Sequence, residues 1–301
     1  MIFYTLVYLG DEQKNSNYKG SNKNVYIDLA FKLNQSLNLG GHSLQILTNK
    51  RDRIIKYIDH KYSSKMRVNQ IEDNFSLKIK KNVRFKFAHA KLDCYKYFSQ
   101  LKSENIIFLL DSDILLINNL PKWFYDIQSY KDNIYCYSIT RHLVSGYGKE
   151  IVDNDLNYFL KDPITQWFGG EIIGTNSKNF KLIYEKSKEI FDNYLENIEK
   201  FNHIGDETIL NAAIQLLNIH PIDIGPLNII ERKWSAPCLF YQLPIDNIDN
   251  VSFIHLPSSK NFILKTPIIN FLTLKIIIKL YLRFSYCLNF LKVFLKKLLK
   301  N

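Results

Sequence analysis

The chain has 301 residues with 46% hydrophobic content, enough to fill the core of one large α/β domain or two small ones without staples. Its four cysteines, Cys94, Cys136, Cys238 and Cys287, show no CxxC or Cys/His ligand spacing, which argues against a disulfide framework or a zinc site and for a reducing cytoplasm. Of 40 Lys+Arg against 29 Asp+Glu, eight bases and no acid fall within residues 262–301, so the net charge of +11 drops to +3 for the rest, too balanced for a nucleic-acid-binding domain.

No basic leader precedes the first apolar run, which ends at Gly10-Asp11-Glu12 and is too short for a signal-peptide core; residues 2–9 are expected to form the first strand. Val25, Leu29, Leu33 and Leu37 then recur at four-residue spacing until Gly40-Gly41, predicting a helix. SLQILTN, residues 43–49, returns as a strand, and a basic stretch over 50–86 carries no predicted element. A helix over about 88–102 feeds a strand over 105–110, and further strands are expected at 134–139, 167–175, 219–224 and 251–256. Two packing helices stand among them, one over 177–199 and one opening at Asp206-Glu207. With no internal repeat, this alternation predicts an α/β sandwich.

The segment IIFLLDSDILLINNLP, residues 106–121, wedges Asp111 and Asp113 between apolar runs. Burying a carboxylate without a partner costs several kcal/mol or forces it to neutralise, so a cation is expected to meet the pair. In extended backbone, residues i and i+2 point to one side. Two hard oxygens on one side suit Mg²⁺ or Mn²⁺, whose open positions a diphosphate can fill. The competing reading is a strand end with turn-forming aspartates.

From Ala88 to Pro121 the chain resembles the helix, strand and DxD of nucleotide-sugar glycosyltransferases with the GT-A fold. WFGGEIIGTNSKNF, residues 167–180, resembles the strand and Gly-rich turn of retaining lipopolysaccharide galactosyl- and glucosyltransferases and of glycogenin. GDETILNAAIQ, residues 205–215, is similar to the D-E-x-x-L-N of blood-group transferases, where lipopolysaccharide enzymes have Gln at the place of Glu207. FIHLPSSKNF, residues 253–262, resembles the closing I-H…K-P-W motif, without its Gly and Pro-Trp. The resemblance takes in both subfamilies. It implies a GT-A-like α/β domain over 1–262, with a mixed, mostly parallel sheet, that moves a hexose from a UDP-sugar to a glycan or lipid-linked acceptor with Mn²⁺ or Mg²⁺ in cell-surface polysaccharide synthesis. It assigns His255 as third metal ligand to Asp111 and Asp113. Lys260 would neutralise the leaving diphosphate, Asp206 would bond sugar hydroxyls, and Glu207 would sit below the anomeric carbon. Tyr8, Gly10, Lys91, Ser112, Trp167, Gly169 and Gly170 fall to the nucleotide-sugar. Trp167 reads equally as core or as a sugar platform, and Gly169-Gly170 as a close approach of backbone to ligand or as a bulge. Asp206 and Glu207 also suit a helix start on their own.

Two other classes compete. Haloacid-dehalogenase-type phosphohydrolases also place a DxD after an apolar strand, but Leu210 stands where their second metal motif has Asp. A non-enzymatic basic protein, binding membrane or nucleic acid, is the other.

Residues 263–301 are expected to form a basic amphipathic tail that lies on the inner face of an anionic membrane. On a helical wheel Lys275, Lys279, Arg283, Asn289, Lys292, Lys296, Lys297 and Lys300 fall within one half, while Ile276, Ile277, Leu280, Leu288, Leu291, Phe294, Leu295 and Leu298 lie mainly on the other. Its longest uncharged run, 266–274, is far short of the about 20 apolar residues of a spanning helix.

Overall fold

The computed structural model describes residues 1–10, 18, 20–83, 85–130, 132–140, 149–164, 166–233 and 248–298; Cys238, Lys300 and the side chains of Lys296 and Lys297 lie outside the described residues. In chain order the elements are β1 (Ile2–Leu6), α1 (Val25–Leu39), β2 (Leu44–Thr48), α2 (Arg51–Tyr62), β3 (Arg67–Gln70), α3 (Phe75–Lys78), α4 (Ala90–Gln100), β4 (Ile107–Leu110), β5 (Ile114–Leu116) and α5 (Lys122–Asp126). They continue with β6 (Tyr135–Ser138), α6 (Lys149–Leu156), β7 (Phe168–Thr175), α7 (Ser177–Asn197), α8 (Asp206–Leu216), β8 (Ile222–Asp223), β9 (Ile230–Arg232), β10 (Phe253–His255), α9 (Lys260–Lys265) and α10 (Phe271–Leu298). The first strand is three residues shorter than its apolar run suggests: Val7 N–H still donates to Leu47 O at 2.9 Å, but the Leu9 N–H turns to the Asn49 side chain. The basic stretch over 50–86, read as featureless, holds α2, β3 and α3.

Seven strands form a mixed, mostly parallel sheet in the order β3-β2-β1-β4-β7-β6-β8. β1 pairs in parallel with both β2 and β4, so the chain runs outward to β3 and then returns to the other side of β1. Strand order reverses there, and the carboxyl ends of β1 and β4 open the crevice in which such sheets bind ligands. β7 runs antiparallel to β4, with Ile172 opposite Leu110, which brings its first residues to the same edge. A second sheet, β5-β10-β9, begins immediately after Asp113.

Two apolar clusters hold these layers. The larger unites the seven-stranded sheet with α4, α7 and α8; the smaller joins Val25 and Leu29 of α1 to Leu115, Ile254, Ile263 and to Leu274, Ile278 and Leu282 of α10. Those last three recur every fourth residue and are buried. Burial of each such side chain is worth about 2 kcal/mol. The first three turns of the tail helix are therefore packed on the body, and beyond Leu282 the described side chains are exposed or half-exposed apart from Asn289, which is buried.

Candidate active site

Backbone pairing delivers each part of the site. Asp111 N–H donates to Glu171 O at 2.8 Å, which locks the end of β4 to the start of β7. Beyond Asp113, β5 pairs antiparallel with β10 so that Ile114 faces His255, and Leu256 N–H donates to Asp113 O at 3.1 Å. β9 lies parallel on the other side of β10, with Arg232 opposite His255. Side chains 142 residues apart in sequence thus meet: His255 Nε2 lies 3.2 Å from Asp113 Oδ1.

Asp111, Asp113 and His255 offer ligand atoms within 4.8 Å of one another. Lys91, from the first turn of α4, pairs with Asp111 Oδ1 at 2.7 Å and Asp206 Oδ2 at 3.3 Å and donates to Gly170 O at 2.7 Å. Lys260 Nζ contacts Asp113 Oδ2 and donates to Pro257 O at 2.8 Å. Glu171 accepts from Arg232 at 2.8 and 2.9 Å and faces His255 Nδ1 at 3.4 Å. Glu207 Oε2 lies 2.8 Å from His203 Nε2 and accepts from the Trp167 indole at 3.1 Å, while Oε1 accepts from Gly170 N–H at 2.9 Å and lies 3.7 Å from Arg232.

Glu171, His203 and Arg232 were not singled out from the sequence. Glu171 carries the same signal as the DxD, an acid inside an apolar strand, and His203 precedes Glu207 by four residues. Arg232 ends a three-residue strand with no readable period.

Burial opposes ionisation throughout this cluster, and local charges decide the outcome. Lys260 and His255 overcome burial to hold Asp113 well below the usual carboxylate range. Burial likewise disfavours charge on Glu207, but His203, Arg232 and the Gly170 amide keep it low. Against the same opposing burial, Arg232 and His255 lower Glu171. Burial lowers an ammonium, yet Asp111 and Asp206 raise Lys91 well above its ordinary value. Asp206 is the exception: burial prevails over Lys91 and pushes it up to about 6. His255, opposed by burial but drawn by Asp113 and Glu171, rises to about 9.

This donor set fits a divalent ion. Among the described residues, five carboxylates (Asp111, Asp113, Glu171, Asp206, Glu207) meet three permanent cations (Lys91, Lys260, Arg232), with the imidazoles of His203 and His255 beside them. Lys91 occupies Oδ1 of Asp111, while Asp113 meets Lys260 at Oδ2 and His255 Nε2 at Oδ1. Glu171 beside Nδ1 of His255 favours the tautomer that frees Nε2, as carboxylates do behind metal-bound histidines.

Of the remaining expected residues, Ser112, Trp167, Gly169 and Gly170 lie against this core. Ser112 is buried between the two aspartates. Trp167 is 1% exposed, edge-on to His203, and offers its indole N–H to Glu207 rather than a face to a sugar. At Gly169 a Cβ would lie 1.7 Å from Glu171 Oε2, and at Gly170 2.6 Å from Asp206 Oδ2, so the glycines make room for the charged network. They also sit in a bulge, where pairing with β6 jumps from Cys136 opposite Ile173 to Ser138 opposite Phe168. Asn211, the Asn of the D-E-x-x-L-N segment, accepts from Phe168 N–H at 2.8 Å and donates to Phe168 O and Glu207 O, clamping β7 to α8. Tyr8 and Gly10 lie on the β1 side, where the Tyr8 ring stacks on Phe87 at 4.8 Å and its hydroxyl donates to Asp73.

No protein-family model matches this chain, and no curated protein does. Solved structures do. An active-site mutant of LgtC aligns with a TM-score of 0.52 at 14% identity over 85% of this chain and 87% of that one. The bifunctional glycosyltransferase WbbM, in its apo form, aligns at 0.50 and 13% over 84% of this chain but 45% of its own. The galactosyltransferase LgtC in complex with donor and acceptor sugar analogs aligns at 0.50 and 11% over 89% and 97%. The chain therefore has the GT-A-like fold of these glycosyltransferases.

Proposed function

With that fold and this charged crevice as premises, we propose that the chain is a divalent-metal-dependent glycosyltransferase that moves a hexose from a UDP-sugar to a glycan or lipid-linked acceptor in cell-surface polysaccharide synthesis. The observation that carries the reading is the convergence of Asp111, Asp113 and His255 at the carboxyl end of β4, beside Lys91, Asp206 and Glu207. The donor and acceptor sugar analogs held by the galactosyltransferase LgtC, and the motif likenesses over 167–180 and 205–215, support the sugar chemistry.

Asp111, Asp113 and His255 would hold Mn²⁺ or Mg²⁺, which neutralises developing charge on a leaving diphosphate. Lys260 would turn from Asp113 to the same diphosphate as a second point charge. Lys91, fixed by two carboxylates and a carbonyl, sets the position of Asp206, whose carboxylate accepts from sugar hydroxyls. Glu207, kept ionised, supports the positive charge that grows at the anomeric carbon as the glycosidic bond to diphosphate lengthens. The exposed apolar residues of α10, including Ile276, Leu280, Phe284, Leu291, Leu295 and Leu298, with bases along the helix, support a place on the inner face of an anionic membrane. No described helix is long and apolar enough to cross one.

The deciding experiment is turnover of a panel of nucleotide sugars by the full chain with Mn²⁺ and with EDTA. Metal-dependent release of nucleotide from a UDP-hexose is expected; turnover of none of them overturns the reading.

A further inference from the structure

Glu207 is held by more partners than a helix-opening acid requires. An acid that only favoured the start of α8 would direct its carboxylate at the first-turn N–H groups of its own helix. Here the four described contacts lead elsewhere: His203 and Trp167 on one oxygen, Gly170 of β7 and Arg232 of β9 on the other.

His203 is itself a built part. Its N–H donates to Asp155 Oδ2 at 2.8 Å, and its carbonyl accepts from Thr208 Oγ1. Asp155, fully buried in α6, also accepts from the backbone and side chain of Asn202. The imidazole stands edge-on to Trp167, with ring centroids 5.2 Å apart and planes at 86°. Backbone anchors on both sides and an indole wall therefore leave the ring aimed at one atom, Glu207 Oε2, at 2.8 Å.

We infer that His203 is a positioning residue for glycosyl transfer, donating through Nε2 to fix the Glu207 carboxylate in the orientation that faces the donor's reacting carbon. This rests on the glycosyltransferase reading above. The titratable groups that bear on the imidazole are Glu207, then Asp206 and Asp155; all are acids, and they raise its pKa against the opposing effect of burial. The ring can donate through Nε2 whether charged or neutral, the charged form more strongly. The requirement is for a hydrogen bond at that place, not for a charge.

A double-mutant cycle tests this, with kcat and donor KM read separately on the full chain and Mn²⁺ present. His203→Leu should lower kcat by roughly 10- to 100-fold, the usual range for a group that orients a functional side chain, with donor KM within about twofold. His203→Gln, whose amide nitrogen reaches the place of Nε2, should recover to within about fivefold of the parent, whereas His203→Asn, a bond shorter, should not. In the Glu207→Gln background the further loss from His203→Leu should shrink below about threefold, because the group it positions is gone. Equal losses in both backgrounds, or a change in KM alone, overturn the inference and leave a packing role. If His203→Leu does not fold, the contrast between Gln and Asn decides: equal activities in the two overturn it. A parent that turns over no nucleotide sugar sinks the glycosyltransferase reading and this inference together. An active parent with Glu207→Gln impaired and His203→Leu unimpaired sinks this inference alone.

Discussion

The two aspartates of the DxD are not equivalent. Asp111 is 29% exposed at its side chain and meets one lysine, whereas Asp113 is 8% exposed and meets Lys260 and His255. Both substitutions to Asn should lower metal-dependent transfer by two to three orders of magnitude, about 3 to 4 kcal/mol, as loss of a charge-stabilising group does. Stability separates them. Asp111→Asn should unfold within a few degrees of the parent, while Asp113→Asn leaves two buried cations facing each other and should lose about 3 kcal/mol. Urea midpoints alongside activity check this, and full transfer by either variant ends the metal-site assignment. Glu207→Gln bears on the reaction rather than on binding: kcat should fall far more than donor KM rises, since its charge matters most in the transition state. A variant changed only in thermal stability would leave Glu207 as a helix-opening acid.

At the scale of elements, the support behind α8 runs through a buried histidine. His89, at the start of α4, donates from Nδ1 to Lys86 O at 3.0 Å and accepts at Nε2 from Tyr194 of α7 at 2.9 Å; Tyr194 in turn accepts from Gly205 N–H at 3.1 Å, one residue before Asp206. Burial holds His89 down to about 4. Between its unfolded value near 6.5 and that value, the unfolded chain takes up a proton that the folded chain refuses. The stability tied to His89 is therefore complete above pH 6.5 and is lost as pH falls toward 4, by about 3 kcal/mol. His89→Gln should be destabilised at pH 7, and the gap to the parent should narrow by up to that amount at pH 4. Asp93, pushed by burial up to about 6, titrates in both proteins and cancels from the difference. A gap independent of pH would show that His89 does not titrate as its burial implies. How much of this was legible depended on how local each signal is. The DxD declares itself because acids between apolar runs break a pattern a few residues long, and Asp206-Glu207 because a helix visibly starts there. In α2 only Ile54 and Ile58 are buried, a single repeat that shows no helical period, so the element was missed. Arg232 had no local signal at all: its meaning lies in Glu171, 61 residues away, and in the pairing of β9 with β10.

For the whole molecule, the bearing of α10 on the body matters more than its composition. Leu274, Ile278 and Leu282 face inward, and Lys275 and Lys279 reach Asn118 and Asp249 of the body, so these two bases are partly engaged. Removing everything after Pro257 would take away Lys260 and four buried apolar side chains with it, so the membrane experiment needs a later cut. Full-length protein should pellet with anionic vesicles at low salt and be released as salt rises, each base near the surface contributing about 1 kcal/mol. A chain ending at Ser285 should keep its fold and its donor turnover but stay in the supernatant; equal pelleting of both forms would move the contact to another surface. The pairing of β5 with β10 also fixes an order of events during synthesis. Asp111, Asp113 and β5 leave the ribosome long before His255 and Lys260, and until β10 docks, β5 has no partner on that edge and Asp113 has neither of its cations. An N-terminal portion can begin folding while the rest is still being made. The nascent chain thus carries Asp113 without its cations until β10 and α9 have been made, whereas Asp111 already has Lys91, and the charged crevice is complete only once Lys260 has emerged.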